Sequence, residues 1–324
     1  MQRKTKLILG TAVVAVVIVL IIASLVMRPK PKPILSIATG PAGGTNHIVG
    51  SAIASVVMKY NPDLKITVEE TPAASKNLDL VEEGVSDCGF ISLDDMYKAS
   101  QGMEPYKKKY VNVRHGFSLW IAAQKLVVLK GSGIEKWEDL RGKKIALGEP
   151  GHFSIPLAKA ILEAYGLKEG DYKAEYISWT EVCDKLADGT IDAFFVPALD
   201  PWGPLAKLAL ARDIRILPVS EEKIKEITQK YPYYVRTVVP AGSYRGINED
   251  IPTVGPGIFF GFNANLDEET VYRIVKTVFE HLDEIYSAHP AARKITLSHA
   301  LDGQLVPLHP GAEKYFREVG LIKK

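Results

Sequence analysis

The chain has 324 residues, of which 47% are hydrophobic and 24% are charged, and its formal net charge is +2. This apolar content excludes an extended disordered protein, and the length suits two lobes of about 100–200 residues each. Residues 1–33 carry six positive and no negative side chains, so the remaining body has a net charge of −4. A mildly acidic body argues against nucleic acid as a partner, because nucleic acid requires a basic face. The two cysteines, Cys88 and Cys183, are expected to be buried thiols rather than a disulfide.

The first predicted element is a membrane helix at residues 7–27, a run without a charged side chain. A helix of this length spans about 31 Å, which is the thickness of a bilayer core. The run is longer than the roughly 7–15 apolar residues of a cleaved signal peptide and is followed by a poor cleavage site. We therefore expect an uncleaved signal anchor that holds the body at the outer face of the cytoplasmic membrane. A cleaved signal is the alternative, and it also places the body outside.

The next elements alternate between strands and helices. Short apolar runs predict strands at residues 34–39, 64–70 and 87–92, and helical spacing predicts helices at residues 45–60 and 78–83. This order indicates a first α/β lobe with a parallel sheet.

A second unit of the same kind follows, with predicted strands at residues 125–129, 144–147, 174–177 and 191–196 and helices at residues 136–140, 154–165 and 179–188. Two similar lobes imply a cleft between them. The tail contains a long amphipathic helix at residues 268–287 and a short one at residues 312–319, which we expect to return to the first lobe. The chain would then cross between the lobes twice. Lobe I is expected at residues 34–122 and 246–324, and lobe II at residues 123–245.

A glycine-rich turn at residues 40–44 joins the first strand to the first helix, and Thr45 is expected to cap that helix. Glycines let the backbone approach a ligand, and the following helix N-terminus offers free N–H groups and a partial positive charge. Such a turn can bind a carboxylate or phosphate, or it can serve the chain geometry alone. A second turn at residues 148–154 repeats the pattern in the other lobe. Neither turn has the Walker or dinucleotide-binding spacing, so no nucleotide cofactor is predicted.

No catalytic arrangement is evident: the sequence contains neither Gly-x-Ser-x-Gly nor His-Glu-x-x-His, and the seven histidines lack metal-ligand spacing. We therefore predict no catalytic residue, metal or cofactor. His47 and His152 lie at the glycine turns and are candidates for a hydrogen bond to a ligand, the alternative being solvated loop histidines. Asp94 and Asp95 follow a strand and are more typical of helix capping than of acid–base chemistry. The loop at residues 200–204 follows a buried strand, where open α/β sheets bind ligands.

Five stretches of the chain, taken together, resemble one family, the TAXI receptors of tripartite TRAP transporters. They lie at residues 37–50 (IATGPAGGTNHIVG), 131–162, 191–204, 253–279 and 307–320 (PLHPGAEKYFREVG). The similarity covers about residues 34–322.

The resemblance implies an α/β, two-lobed periplasmic-binding-protein-like fold of the second type, with the ligand cleft between the lobes. It also implies that the ligand is glutamate or another small organic anion. The implied partner is a TRAP-type integral membrane permease driven by an ion gradient rather than ATP.

Carried over by position, the resemblance implies a ligand site made of Gly43, Gly44, Thr45, Ser92, Gly151, His152, Phe153, Ser154, Ala198, Asp200 and Pro201. The chain departs from the family at ligand-facing positions. It has Asn46 and His47 where the family often has two tyrosines. At residues 120–122, where the family often has Tyr-Pro-Glu, this chain has Trp-Ile-Ala, with Trp120 at the first position. Asn46, His47 and Trp120 complete the predicted site.

Three other functions are compatible with parts of this pattern. A binding protein for an ATP-driven importer has the same fold. An enzyme on a two-lobed scaffold requires an activated base or nucleophile in the cleft, and no convincing pair is present. The effector domain of a regulator requires a helix-turn-helix, which residues 1–33 cannot form.

Overall fold

The structure is a computed structural model that describes residues 34–72, 74–148, 154–179 and 181–323. The predicted membrane helix at residues 7–27 lies outside these ranges. Within them, no helix is both long and apolar enough to cross a membrane. Both cysteines are buried free thiols, as expected.

The first of two sheets has six strands, in the order β10-β11-β3-β1-β2, with β4 also paired to β11. The strands are β1 (Ile34–Gly40), β2 (Lys65–Glu70), β3 (Cys88–Ser92), β4 (Val113–Ile121), β10 (Tyr234–Val239) and β11 (Ile251–Asn263). β1 is parallel to β2 and β3, but β11 is antiparallel to β3 and β4. The expected parallel sheet is therefore confirmed only for its first three strands. The helices that follow these strands are α1 (Thr45–Tyr60), α2 (Ala74–Glu82) and α3 (Leu93–Gln101).

The second sheet has five strands in the order β7-β6-β8-β5-β9. They are β5 (Ala123–Leu129), β6 (Lys144–Gly148), β7 (Lys173–Tyr176), β8 (Ala193–Ala198) and β9 (Ile214–Ile216). β6 is parallel to β7 and β8, and β5 is antiparallel to β8 and β9. The associated helices are a 3-10 turn (Trp137–Leu140), α4 (Ile155–Ala164), α5 (Val182–Ala187), α6 (Gly203–Ala211) and α7 (Glu221–Lys230). Three parallel strands followed by an antiparallel neighbour thus occur in both sheets.

Two connections join the sheets, and they lie side by side. The first is the step from β4 to β5 at Ala122, whose N–H donates to the carbonyl of Pro256 in β11 over 2.9 Å. The second is β11 itself, in which Val254 packs in a core with residues of the second sheet and Phe260 in the core of the first. β10, which the sequence-based boundaries assign to lobe II, pairs with β11. Those boundaries remain a prediction.

The C-terminal tail consists of α8 (Glu268–Glu280), α9 (Leu282–Tyr286), 3-10 turns at Pro290–Lys294 and Leu297–His299, and α10 (Pro310–Glu318). The expectation of one long helix at residues 268–287 is wrong, because the backbone leaves helical geometry at His281, where φ is −129°. The tail returns to the first lobe as predicted. Ile274 and Phe316 pack in one core with Ile37 and Val49.

Candidate functional site

The carboxyl ends of β1, β3 and β4 lie at one edge of the first sheet. β1 and β3 run parallel, with Ala38 opposite Gly89. Ile258 of β11 lies between Ser92 and Trp120, opposite both. The sheet register therefore brings the glycine turn after β1 to the same edge as two predicted site residues, Ser92 and Trp120.

The glycine turn leaves the N-terminus of α1 open. Gly44 is the N-cap residue, no side chain among the described residues caps the helix, and its first turn contains no acid. The prediction that Thr45 caps α1 is wrong, because Thr45 is already the first helical residue. The positive φ of the turn belongs to Gly43 (φ 76°), whereas Gly44 has φ −73°. A Cβ at Gly44 would lie only 3.0 Å from the carbonyl oxygen of Pro41.

A buried polar network supports this turn. The Thr39 hydroxyl donates to the carbonyl of Glu69 over 2.9 Å and lies 3.1 Å from Nδ1 of His47. A hydroxyl has a single proton, so both contacts are satisfied when Nδ1 of His47 is the donor and its Nε2 is left as an acceptor. The partly buried ring of His47 is thus oriented by the sheet rather than free in a loop.

Asn77 joins the ends of β1 and β3 and was not identified from the sequence. Its amide nitrogen donates to the carbonyls of Thr39 and Phe90, each over 2.8 Å, and its side chain is fully buried. The sequence contains one signal for it: Asn77 is a polar residue next to Leu78, on the apolar face of the helix. The network fixes the spacing of the two strand ends that present the site.

In the second lobe, Gly151, His152 and Phe153 lie outside the described residues. Ser154, which precedes α4, is buried. Gly148 ends β6 with φ 143°, and a Cβ there would lie 3.3 Å from the indole of Trp179. Trp179, which the sequence analysis did not select, therefore covers the start of the second glycine turn.

The loop after β8 is held by a buried ion pair. Nζ of Lys125 lies 2.8 Å from Oδ1 of Asp200, and both side chains are almost completely buried. The ammonium also donates to the carbonyls of Ala123 and Ala198, and the Tyr244 hydroxyl donates to Oδ1 of Asp200 over 2.6 Å. Burial lowers the pKa of Lys125, and Asp200 opposes that shift. The predicted site residues Ala198 and Asp200 are thus used in holding the loop, and Pro201 is exposed.

Two cavities adjoin Trp120. One, of about 470 Å³, is lined by Ser92, Ala122 and Gly257 and also by the acids Asp94 and Asp95. The other, of about 190 Å³, includes Asp200 and Lys294. Trp120 is 7% exposed and packs against Phe90, with ring centroids 6.0 Å apart. The structure therefore brings Ser92, Trp120 and Asp200 to neighbouring cavities, whereas residues 43–47 line neither of the two.

Comparisons with known proteins give the fold and the family. The fold is similar to that of a putative sulfonate ABC transporter protein, the periplasmic sulfonate-binding protein SsuA from Methylobacillus flagellatus KT. The identity is 17%, the match covers 90% of this chain and 89% of that one, and the TM-score is 0.50. A Xanthomonas citri protein solved bound to ATP matches with 12% identity over 88% of this chain and 95% of its own, with a TM-score of 0.51.

These likenesses confirm a mixed α/β fold of the periplasmic-binding-protein kind with two sheets. The assignment to TAXI receptors is finer than these matches and stays a prediction. The model of the NMT1-like family matches residues 37–320, which is most of the sequence. The chain therefore belongs to the NMT1-like family.

Proposed function

We propose that this protein is an extracytoplasmic solute-binding receptor that captures a small organic anion and delivers it to a membrane transporter. The observation that carries the proposal is the open N-terminus of α1 at the carboxyl edge of the first sheet, the edge at which Ser92 and Trp120 also lie. Unpaired N–H groups and the helix dipole favour a carboxylate or sulfonate there. The fold shared with a sulfonate-binding protein supports the same class of ligand.

The polar groups at this edge and in the loop after β8 support binding rather than catalysis. His47 contacts Thr39, the Ser92 hydroxyl donates to Asp95 over 2.6 Å, and Asp200 pairs with Lys125. Each of these side chains orients a neighbouring element. A receptor needs such fixed groups, whereas an enzyme also needs a nucleophile or base aimed at the ligand.

Two transporter classes are candidates for the partner. The TAXI resemblance supports a TRAP-type permease driven by an ion gradient. The sulfonate-binding protein with the same fold belongs to an ABC transporter, which supports an ATP-driven importer at least as well. Uptake of labelled ligand by cells separates the two: an ionophore stops the first, and vanadate stops the second.

The proposed location is the outer face of the cytoplasmic membrane, through the apolar run at residues 7–27. Its length and lack of charge support a permanent anchor. Full-length protein in membranes washed with high salt is the expected result. A mature N-terminus near residue 28 contradicts the anchor.

Calorimetric titration tests the binding proposal, with L-glutamate, succinate, taurine and ethanesulfonate as probes. Gly44→Val places branched carbons over the open N–H groups and against Pro41, so we expect it to abolish binding. Thr45→Ala removes a hydroxyl at the first helical position. If that hydroxyl donates to the anion, its loss costs about 1.5–3 kcal/mol, or about 10–150-fold in affinity.

Melting curves of both variants check that the first lobe stays folded. Lys108→Ala is the control, because Lys108 is exposed, and it should bind as the wild type does. Wild-type affinity in Gly44→Val places the site elsewhere. Failure of the wild type to bind any probe contradicts the organic-anion receptor.

A further inference from the structure

The smaller cavity beside Trp120 lies where the chain passes from the first sheet to the second. We call it the crossing cavity and define it by Trp120, Leu199, Asp200, Arg236, Lys294 and His299. Its walls come from β4, the loop after β8, β10 and the C-terminal tail. A ligand in this cavity contacts elements of both sheets at once, which is what closure of two lobes requires.

The two cations that line the crossing cavity, Arg236 and Lys294, differ in whether an acidic side chain pairs with them. Arg236 pairs with Glu221, and the lining carboxylate Asp200 pairs with Lys125. Asp302, the other carboxylate of the lining, lies 2.8 Å from Nδ1 of His299. The side chain of Lys294 forms no ion pair or hydrogen bond with any residue in the ranges that the structure describes. Of the two lining cations, Lys294 is the one without an acidic partner among the described residues.

The backbone of Lys294 is held firmly although its side chain is only half-buried. It is the last residue of the 3-10 turn Pro290–Lys294, and its neighbours Ala292 and Ile295 are fully buried in the first core. Burial is the main cause of the lowered pKa of Lys125, and the positive charge of Lys294 adds a smaller effect in the same direction. Lys294 and Asp200 of the buried Lys125–Asp200 pair both line the cavity.

Apolar side chains form another part of the wall. Leu119 is 1% exposed, Trp120 is 7% exposed, and Leu199 packs against the first core beside them. Apolar side chains around one unpaired cation form a site for a molecule with an anionic group and a small organic body. Partial burial strengthens the attraction between that cation and an anion, since the surrounding dielectric is lower than in water.

We propose that Lys294 binds an anionic group of the ligand in the crossing cavity, in addition to the proposed contact at the N-terminus of α1, with the organic part of the ligand against Trp120 and Leu199. This inference rests on the proposed receptor function and deepens it. It names a ligand-binding residue in the C-terminal tail, a segment that the sequence analysis left outside the site.

The test is calorimetric titration of Lys294→Met with L-glutamate, succinate, taurine and ethanesulfonate. Methionine keeps the length and apolar stem of lysine but removes the charge. A lost charge-assisted hydrogen bond lowers affinity by about 10–150-fold, so at least a tenfold loss is expected for every probe that the wild type binds. Lys294→Arg keeps the charge and should stay close to wild type. Lys65→Met is the matched control, because Lys65 is exposed at the opposite end of the first sheet.

The outcomes separate the two proposals. Wild-type affinity in Lys294→Met overturns the role of Lys294 and leaves the receptor function standing. A wild type that binds none of the probes overturns the receptor function, and the role of Lys294 with it. If melting curves show that Lys294→Met is unfolded, Lys294→Gln replaces it, and the same tenfold criterion applies.

Discussion

Two buried histidines make the stability of this protein sensitive to acid. His115 is fully buried and stacks on Phe259, with centroids 4.9 Å apart, and burial lowers its pKa from 6.5 to about 4. His309 is 1% exposed, and burial likewise lowers its pKa to about 4. Nδ1 of His309 accepts the N–H of Gly311 at the start of α10, which requires the neutral ring. Neither histidine was recognised from the sequence as a core residue.

The sign of the pH dependence follows from these shifts. Between pH 6.5 and 4 the unfolded chain binds a proton at each histidine that the folded chain does not, so stability falls as the pH falls through this window. Protonation of His115 alone lowers the unfolding free energy by about 3 kcal/mol across this window. Urea unfolding at pH 7, 6, 5 and 4.5 measures the loss. We expect His115→Phe to keep an aromatic ring stacked on Phe259. The variant should take up about one proton fewer on unfolding in this pH window, so its unfolding free energy should fall less steeply as the pH falls. Identical pH profiles for the variant and the wild type contradict the assignment.

At the scale of elements, the docking of α10 on α8 depends on one glycine. A Cβ on Gly311 would lie 2.2 Å from the carbonyl oxygen of Glu268 and 2.5 Å from the nitrogen of Tyr272. Both atoms belong to the α8 backbone and cannot rotate away. The requirement for a glycine here gives a physical reason for part of the motif at residues 307–320.

We therefore expect Gly311→Ala to destabilise the protein by about 1–3 kcal/mol or more, through overpacking. The measurement is the midpoint of urea unfolding. Gly203→Ala is the matched control: Gly203 is the first residue of α6, has no positive φ, and a Cβ there would contact nothing within 4 Å. Equal midpoints for the two variants contradict the close packing of α10 on α8.

At the scale of the whole molecule, the paired connections suit a hinge. Ala122 and Pro256 are joined by a backbone hydrogen bond, and the Thr253 hydroxyl donates to the carbonyl of Gln124 over 2.7 Å. A Cβ on Gly255 would lie 2.0 Å from the carbonyl oxygen of Ala122, so the two connections touch. Two neighbouring connections of this kind let the two cores rotate relative to each other without disrupting the packing of either core.

We expect small-angle scattering to give a smaller radius of gyration when the protein is saturated with a probe that it binds. Closure of this kind occurs in microseconds to milliseconds. Gly44→Val, which should not bind, serves as the control at the same probe concentration. An unchanged radius for the saturated wild type contradicts closure.

The sequence by itself determined the elements whose patterns are local. The apolar runs, glycine stops and helical spacing of residues 34–92 give strands and helices close to those observed. The same holds from β5 to β8. The turn before α1 was also visible, because glycine is the residue that tolerates the positive φ found at Gly43.

The tertiary structure alone decided what depends on distant contacts. β11 is antiparallel to β3, β4 and β10, and it contributes to both cores. The hydrophobic periodicity of a short segment does not indicate which distant strands that segment pairs with. Asn77 and Lys125 read as ordinary polar residues until their partners in other segments appear. Lys294 enters the crossing cavity because the tail folds back across β4, more than 170 residues along the chain from Trp120. Contacts between residues so far apart are set by packing and charge compensation in three dimensions.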